Sequence, residues 1–398
     1  HDRFFARSGI YDDRGAEFPD NAFRFGLLCL AAAQICRDRD WLPDVVHVHD
    51  WPTAVFPALL DAWRKAGTPF GRAAGVLTIH NQSYQGYYHP SALGYLGLGP
   101  EYFTPDGLEA WGKINLLKGG INFADAITTV SPTYAKEILG EPGGNGLSGY
   151  LQKRSGDFVG ILNGADYDVW NPENDRKIPA TFRAESQIGK GLCKQELQAQ
   201  LGLAPDPAAP LFGIVTRLAS QKGTALMREA LPRALRGMAL QLAVLGAGDG
   251  DDENFFRWLA REFPGRVAAE IGYSDELAHR IQAGADFFLM PSLFEPCGLT
   301  QLYSLRYGTL PVVHATGGLE DTVEQYNEGE GRGTGFKFYA PTAPAFHDAI
   351  GWAVGTWYDR PSHVTAMREQ AMRVRFDWET SARRYLDVYR RARAKRGA

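Results

Sequence analysis

An arginine and a lysine stand five residues apart in Thr216-Arg217-Leu218-Ala219-Ser220-Gln221-Lys222-Gly223, just after an apolar run at 211–216. Both cations therefore fall beyond a strand end. Arg offers a planar fork suited to phosphate and Lys a compact charge. Together they can stabilise a diphosphate leaving group as its negative charge grows. The same spacing also occurs in ordinary surface pairs. Further on, residues 292–301 read SLFEPCGLTQ, followed by the helix-like LYSLRYG. Pro296 and Gly298 shape a turn, and the backbone N–H groups of Leu299 and Thr300 open a helix, where an anion can bind. Glu295, just before them, repels phosphate and suits hydrogen bonds from sugar hydroxyls. The alternative is an acidic residue favoured only by the helix dipole.

His80 can hydrogen-bond a substrate hydroxyl or move a proton; a satisfied, partly buried histidine is the plainer reading. His47-Val48-His49-Asp50 spells half of a metallohydrolase ligand set, but no second His/Asp cluster completes it, so no metal is expected. Leu245-Gly246-Ala247-Gly248-Asp249-Gly250 imitates a dinucleotide loop without the third glycine at the right offset, weak ground for NAD. Cys29, Cys36, Cys193 and Cys297 form no CxxC and sit near no His at zinc spacing. A disulfide scaffold or structural metal is not expected from them.

Such residues need a frame to hold them. The 398 residues, 44% hydrophobic and 22% charged, suffice for two domains with real cores. A net charge of −4 creates no strong field for nucleic acid or an anionic membrane. The sequence has no apolar run of 18 residues and opens on no secretory signal. A cytoplasmic setting is expected, with an N-terminus that is processed or belongs to a fragment, since residue 1 is His. The 45 Gly and 23 Pro point to many turns rather than a helical bundle.

Short apolar runs recur at 45–48, 75–79, 126–130, 158–162, 211–216, 240–245, 267–271, 287–290 and 310–313, each followed by a turn and a helical pattern. Such runs predict parallel strands buried on both faces, in an α/β fold. A turn-rich stretch from 163 to about 210 breaks the rhythm, which favours two doubly wound domains over one nine-stranded sheet. The expected division is 1–162, 163–373 and a closing helix at 374–398 that returns to the first domain. The seven basic residues at 380–396 predict a solvated helix face rather than a nucleic-acid arm. The glycine-rich segments 141–149 and 328–335 are expected to be mobile loops. The chemistry-bearing residues cluster after the apolar runs: Asp50, His80, Asn163, Arg217, Gly246, Glu295 and Gly317. Ligands of open α/β sheets bind outside those carboxyl ends, so two such edges facing each other would make a cleft.

At these residues the sequence resembles the bacterial glycogen synthase and plant starch synthase family of retaining glucosyltransferases. The matching segments include His47-Val48-His49-Asp50-Trp51, Thr78-Ile79-His80-Asn81 and Val130-Ser131-Pro132-Thr133-Tyr134. They continue with Leu162-Asn163-Gly164, Ser220-Gln221-Lys222-Gly223, Glu295-Pro296-Cys297-Gly298-Leu299-Thr300-Gln301 and Thr316-Gly317-Gly318-Leu319. Where many other retaining GT-B enzymes carry a second Glu, eight positions after the first, this chain has Tyr303. The resemblance implies a GT-B architecture, two Rossmann-like domains facing across a cleft. It also implies a first domain lacking its opening βα units and their Lys-x-Gly-Gly-Leu loop.

The activity so implied moves glucose from ADP-glucose to the non-reducing 4-OH of an α-1,4-glucan, with retention and no cofactor. Arg217 and Lys222 would neutralise the departing ADP, Glu295 would hold sugar hydroxyls and His80 would orient the glucose. Asp50, Asn163, Gln221, Gly246, Cys297, Gly298, Leu299 and Thr300 would line the substrates, and Tyr273 would stack on adenine. The implied setting is the bacterial cytoplasm, or a plastid for a plant protein; the oligomeric state stays open. Two other classes stay open as well: a hydrolase or phosphorylase, needing a carboxylate pair, for which Asp50 with Glu295 is the candidate, or a cofactor-bearing lysine, and a glucan- or nucleotide-binding module without turnover.

Overall fold

The computed structural model describes residues 2–13 and 15–397. They fall into two compact units, one of the residues up to 161 together with those from 381 on, the other Leu162–Thr380.

In unit 1, β1 (Asp12–Asp13) and β2 (Ala16–Glu17) form a small hairpin. The main sheet consists of β3 (Val45–His49), β4 (Ala74–Ile79), β8 (Ala126–Thr129) and β9 (Phe158–Gly160), all parallel in that order. Between β4 and β8 the chain builds a separate antiparallel sheet from β5 (Tyr87–Tyr88), β6 (Glu109–Ala110) and β7 (Lys113–Asn115), with β7 central. Every residue of β4 is buried, and its side chains alternate between two cores. Leu77 and Ile79 join the helices Phe56–Lys65 and Leu116–Phe123. Ala74 and Val76 meet Val388 and Ala392 of the C-terminal helix Trp378–Ala394. The basic end of that helix is partly paired: Arg393 with Asp44 at 3.1 Å, Lys395 with Asp157 and Arg396 with Asp125. Six of the seven basic residues at 380–396 are exposed, all but Arg396, so the face is solvated as the sequence predicts, with ion pairs at its end.

Unit 2 holds β10 (Leu211–Val215), β11 (Gln241–Gly246), β12 (Val267–Ile271), β13 (Phe287–Met290), β14 (Leu310–His314) and β15 (Phe336–Phe338). The sheet is parallel in the order β12-β11-β10-β13-β14-β15, so the winding reverses between β10 and β13. Strand alternation again feeds two cores: Leu242 and Val244 enter one, Ala243 and Leu245 the other. The helix Ile188–Leu201 ties the turn-rich stretch to the unit through buried Lys190, whose Nζ donates to the carbonyls of Ala283 and Tyr307 and to Thr309 Oγ1.

Each of the nine apolar runs falls on a strand; two, 267–271 and 287–290, match at both ends, and the others are shifted by one or two residues. The segments expected to be mobile loops carry internal hydrogen bonds. Glu141 Oε1 accepts from the Gly146 N–H and Ser148 Oγ. The Asn327 N–H donates to Arg332 O at 2.7 Å, and the Asn327 side chain accepts from the N–H groups of Gly329 and Glu330. Glycine there serves tight turns closed by carboxylate and amide side chains.

Candidate active site

In unit 2 the reversal between β10 and β13 makes a crevice outside the strand ends, since the chains leaving the two strands turn opposite ways. The loop after β10 carries Lys222, and the loop after β13 carries Glu295. Lys222 Nζ donates to Glu295 Oε2 at 2.5 Å, and Ser292 Oγ donates to the same oxygen at 3.0 Å. Glu295 is buried. Its oxygen is met there by an ammonium group and a hydroxyl, the partners a buried polar group requires. The two loops are stitched independently: Leu293 N–H donates to Gln221 O at 2.9 Å and Gln221 Nε2 to Phe294 O at 3.3 Å.

The turn after Glu295 packs against the start of the helix Gly317–Thr322, where only glycine fits. A Cβ on Gly317, at φ +46°, would lie 2.0 Å from Glu295 O, and one on Gly318 2.0 Å from Cys297 O. That closeness lets the Gly318 N–H donate to Glu295 O at 3.0 Å. Cys297 is buried, and burial pushes its thiol up to about 12 although the Asn163 N–H points at it. It is a packed, neutral side chain. The helix after it runs Thr300–Arg306, seven residues, with no side chain capping its start. Any anion binding there rests on individual N–H groups more than on a long dipole.

Arg217 is exposed on the loop after β10, and Gly246 ends β11, where a Cβ would come 2.3 Å from Thr216 O. Tyr273 follows β12 with its ring 92% exposed. Tyr303 stacks on Trp170 at 4.2 Å between ring centroids, with His279 on the other face of Trp170 at 3.7 Å. A tyrosine in the place of a second Glu thus serves packing.

In unit 1 the corresponding strand ends carry imidazoles. Asp50 Oδ1 accepts from the N–H of His80 at 2.6 Å and of Asn81 at 3.3 Å, and Asp50 itself sits at φ 54°. Burial raises its carboxyl above the ordinary value, against those two hydrogen bonds. His49 Nδ1 and His80 Nε2 are 3.0 Å apart. His47 lies beside them, its Nδ1 bonded to Tyr389 Oη at 2.8 Å and its Nε2 to Thr78 Oγ1 at 2.6 Å. Burial and the neighbouring imidazoles of His49 and His80 lower His47 to about 3. Burial also lowers His49 and His80. The row is built from neutral rings.

Sequence reasoning singled out His80 and Asp50 but set His47 and His49 aside as an incomplete metal set, and it passed over Ser292 and Tyr389. A usable signal was present: alternate residues of a strand share a face, so His47 and His49 had to lie together. Among the described residues no group of three His, Cys, Asp or Glu side chains is arranged to hold a metal ion, and no helix is long and apolar enough to cross a membrane.

Residues 1–153 match the family model for the starch synthase catalytic domain, and residues 195–371 that for glycosyl transferases group 1. The α/β fold with parallel sheets also matches GT-B enzymes, such as HepE of Anabaena solved with UDP-glucose, at TM-score 0.58, 16% identity and 90% and 81% coverage of the two chains. Fold and matches together define a glycosyltransferase. The glycogen synthase 1 of Geobacter sulfurreducens is 46% identical over 396 residues, which span 100% of this chain and 79% of the relative. The glycogen synthase of Treponema denticola is 42% identical over 403 residues, 100% and 82% of the two. The catalytic domain of starch synthase IV from Arabidopsis thaliana, solved with ADP and acarbose, superposes at TM-score 0.91 with 34% identity over 98% of this chain and 80% of that one. The chain belongs to the glycogen and starch synthase family.

Proposed function

We propose that the chain transfers glucose from ADP-glucose to the non-reducing 4-OH of an α-1,4-glucan, with retention at the anomeric carbon. The observation that carries the reading is Lys222 fixed against buried Glu295 at the winding reversal, in a member of a glucan synthase family. As the C1–O bond to ADP lengthens, charge grows on the diphosphate; Lys222 and Arg217 neutralise it, helped by the N–H groups of Gly298, Leu299 and Thr300. Glu295 receives hydrogen bonds from glucose hydroxyls, and Ser292 keeps its carboxylate aimed when Lys222 turns to phosphate. Gln221, Gly246 and Asn163 shape the same pocket by backbone approach, and Tyr273 stacks on adenine. His80 orients the glucose, with His49 fixing its ring and Asp50 fixing its backbone.

Retention follows a front-face route. The diphosphate leaves with the bonding electrons, the acceptor oxygen bonds to C1 on the same face, and its proton passes to the departing phosphate oxygen. Asp50 Oδ1 is engaged by two backbone N–H groups and Glu295 Oε2 by Lys222 and Ser292, which lowers the nucleophilicity of both carboxylates and favours this route. The reaction balances with donor and acceptor alone and uses no cofactor. The bacterial relatives favour a cytoplasmic setting.

The test is incorporation of labelled glucose into glycogen from ADP-glucose and, separately, from UDP-glucose. Transfer from ADP-glucose with α-1,4 linkage is expected. Transfer from neither donor overturns the proposal, and a glucosyl adduct trapped on Asp50 or Glu295 overturns the front-face route.

A further inference from the structure

The hairpin joining β6 to β7 turns on two residues, Trp111 and Gly112, with Ala110 paired to Lys113. Both turn residues have positive φ, 56° and 75°. That is the signature of a type I′ turn, which Asn-Gly fills best. A bulky side chain in the left-handed region bears a steric cost that asparagine largely escapes. The indole recovers nothing by burial, for it is 92% exposed. The fold thus holds a large apolar ring in water, in a backbone conformation that disfavours it.

The hairpin is firmly mounted. Glu109 Oε1 accepts from the Gly112 N–H at 2.9 Å. At the far end of β7, Asn115 Nδ2 and Tyr87 Oη both donate to Gln85 Oε1, at 2.7 and 3.0 Å. Gln85 Nε2 donates in turn to the carbonyl of Gln82, two residues past His80. Gly86 lies so close to Trp51 that a Cβ there would meet the indole at 2.6 Å. The small sheet is therefore anchored to the short helix Asp50–Thr53, which opens with Asp50, and to the loop that carries His80. Tyr84 and Tyr87 are also exposed, at 52% and 41%. Tyr87 pairs with Asn115, so roughly 10 Å of strand separates its position from the hairpin tip.

We propose that Trp111 is a stacking platform for a glucan chain, a subsite away from the reacting end, with Tyr87 and Tyr84 between it and His80. The inference rests on the glucan-synthase reading. A pyranose ring offers a flat C–H face to an indole while its hydroxyl edge needs water or polar neighbours. Around Trp111 the tip carries exposed Lys113, Gly112 and the partly exposed Glu109, polar company that suits a sugar. A protein interface would instead surround such an anchor with further apolar contacts.

The experiment is affinity electrophoresis of the whole chain in native gels with and without glycogen, alongside thermal melting. Trp111→Ala should weaken glycogen retardation about tenfold, and Trp111→Phe should keep most of it. Trp111→Asn should lose retardation like the alanine variant while its Tm holds or rises, because Asn-Gly relieves the turn. In turnover assays the KM for glycogen should rise, with the KM for ADP-glucose unchanged. Wild-type retardation in both the Ala and Asn variants overturns the proposal. Glycogen retardation is read without turnover: a chain that binds glycogen through Trp111 yet transfers no glucose sinks the transferase reading and leaves this one standing.

Discussion

The two units are built alike, parallel strands with helices on both faces, yet the edges they present differ in kind. Unit 2 reverses its winding between β10 and β13 and sets there a lysine, a buried carboxylate and closely packed backbone. The described main sheet of unit 1 runs β3-β4-β8-β9 without a reversal, and its strand ends carry imidazoles whose charged form burial disfavours. A diphosphate needs the first kind of edge, where fixed cations meet growing negative charge. A sugar, uncharged and covered in hydroxyls, can also use the second, where neutral donors and acceptors select orientation without a strong field, besides the carboxylate of Glu295 proposed to meet its hydroxyls. The common scaffold does not decide the ligand; the residues placed after the strands do.

The widest separation between the two edges should come from Lys222→Gln. The amide keeps a hydrogen bond to Glu295 but removes the charge proposed to meet the leaving group. Turnover should fall about a thousandfold, with glycogen retardation unchanged. Wild-type turnover would take Lys222 out of the chemistry and leave unit 2 with a purely structural ion pair. His80→Ala breaks the other edge and should lower kcat about a hundredfold. It should leave ADP affinity unaltered by calorimetry; a large loss of ADP affinity would mean that the division of labour is wrong.

How much of this contrast was readable beforehand depended on the physical signal each part leaves. The parallel strands were legible because strands buried on both faces must be apolar along their length, as Ala74–Ile79 and Gln241–Gly246 nearly are. The motif residues after them were legible by resemblance and by position. β5, β6 and β7 were not, since two- and three-residue strands carry no periodicity, and β15, three residues, lies hidden behind a glycine-rich turn. The Lys222–Glu295 pair joins loops 73 residues apart; spacing suggested each residue but not their bond. His47 acquires its meaning from Tyr389, 342 residues away. Only a folded chain brings the closing helix onto β3.

A smaller effect sharpens the donor side. Tyr273 is almost wholly exposed, so Tyr273→Ala costs little stability and reports on ligand contact alone. The KM for ADP-glucose should rise about five- to tenfold, with Phe restoring it, as expected for a ring-stacking contribution. The KM for glycogen should stay put. An equal rise for both substrates would show that Tyr273 acts on the fold rather than on the nucleotide.

The least conspicuous consequence concerns pH and belongs to unit 1 alone. His47 is lowered to about 3 in the folded chain by burial and by the rings of His49 and His80, against about 6.5 when unfolded. Asp50 near His49 pulls the other way, and the groups facing His47 from the closing helix are Tyr385 and Tyr389. Between those two values the unfolded chain binds a proton that the folded one refuses, so stability drops as pH falls from about 6.5 toward 3. Asp50, raised by burial, contributes with the opposite sign nearer the carboxylate range; the histidine effect is therefore cleanest between pH 5 and 7. His47→Gln replaces the titrating ring with an amide able to bond Tyr389 or Thr78. Its Tm should fall less than the wild type's on going from pH 7 to pH 5, by about 2–4 °C. Lys222→Gln should keep the wild-type slope, because it leaves the imidazole row intact. Parallel slopes for wild type and His47→Gln would mean that the row is protonated in the folded chain, and the neutral edge that distinguishes unit 1 would be lost with it.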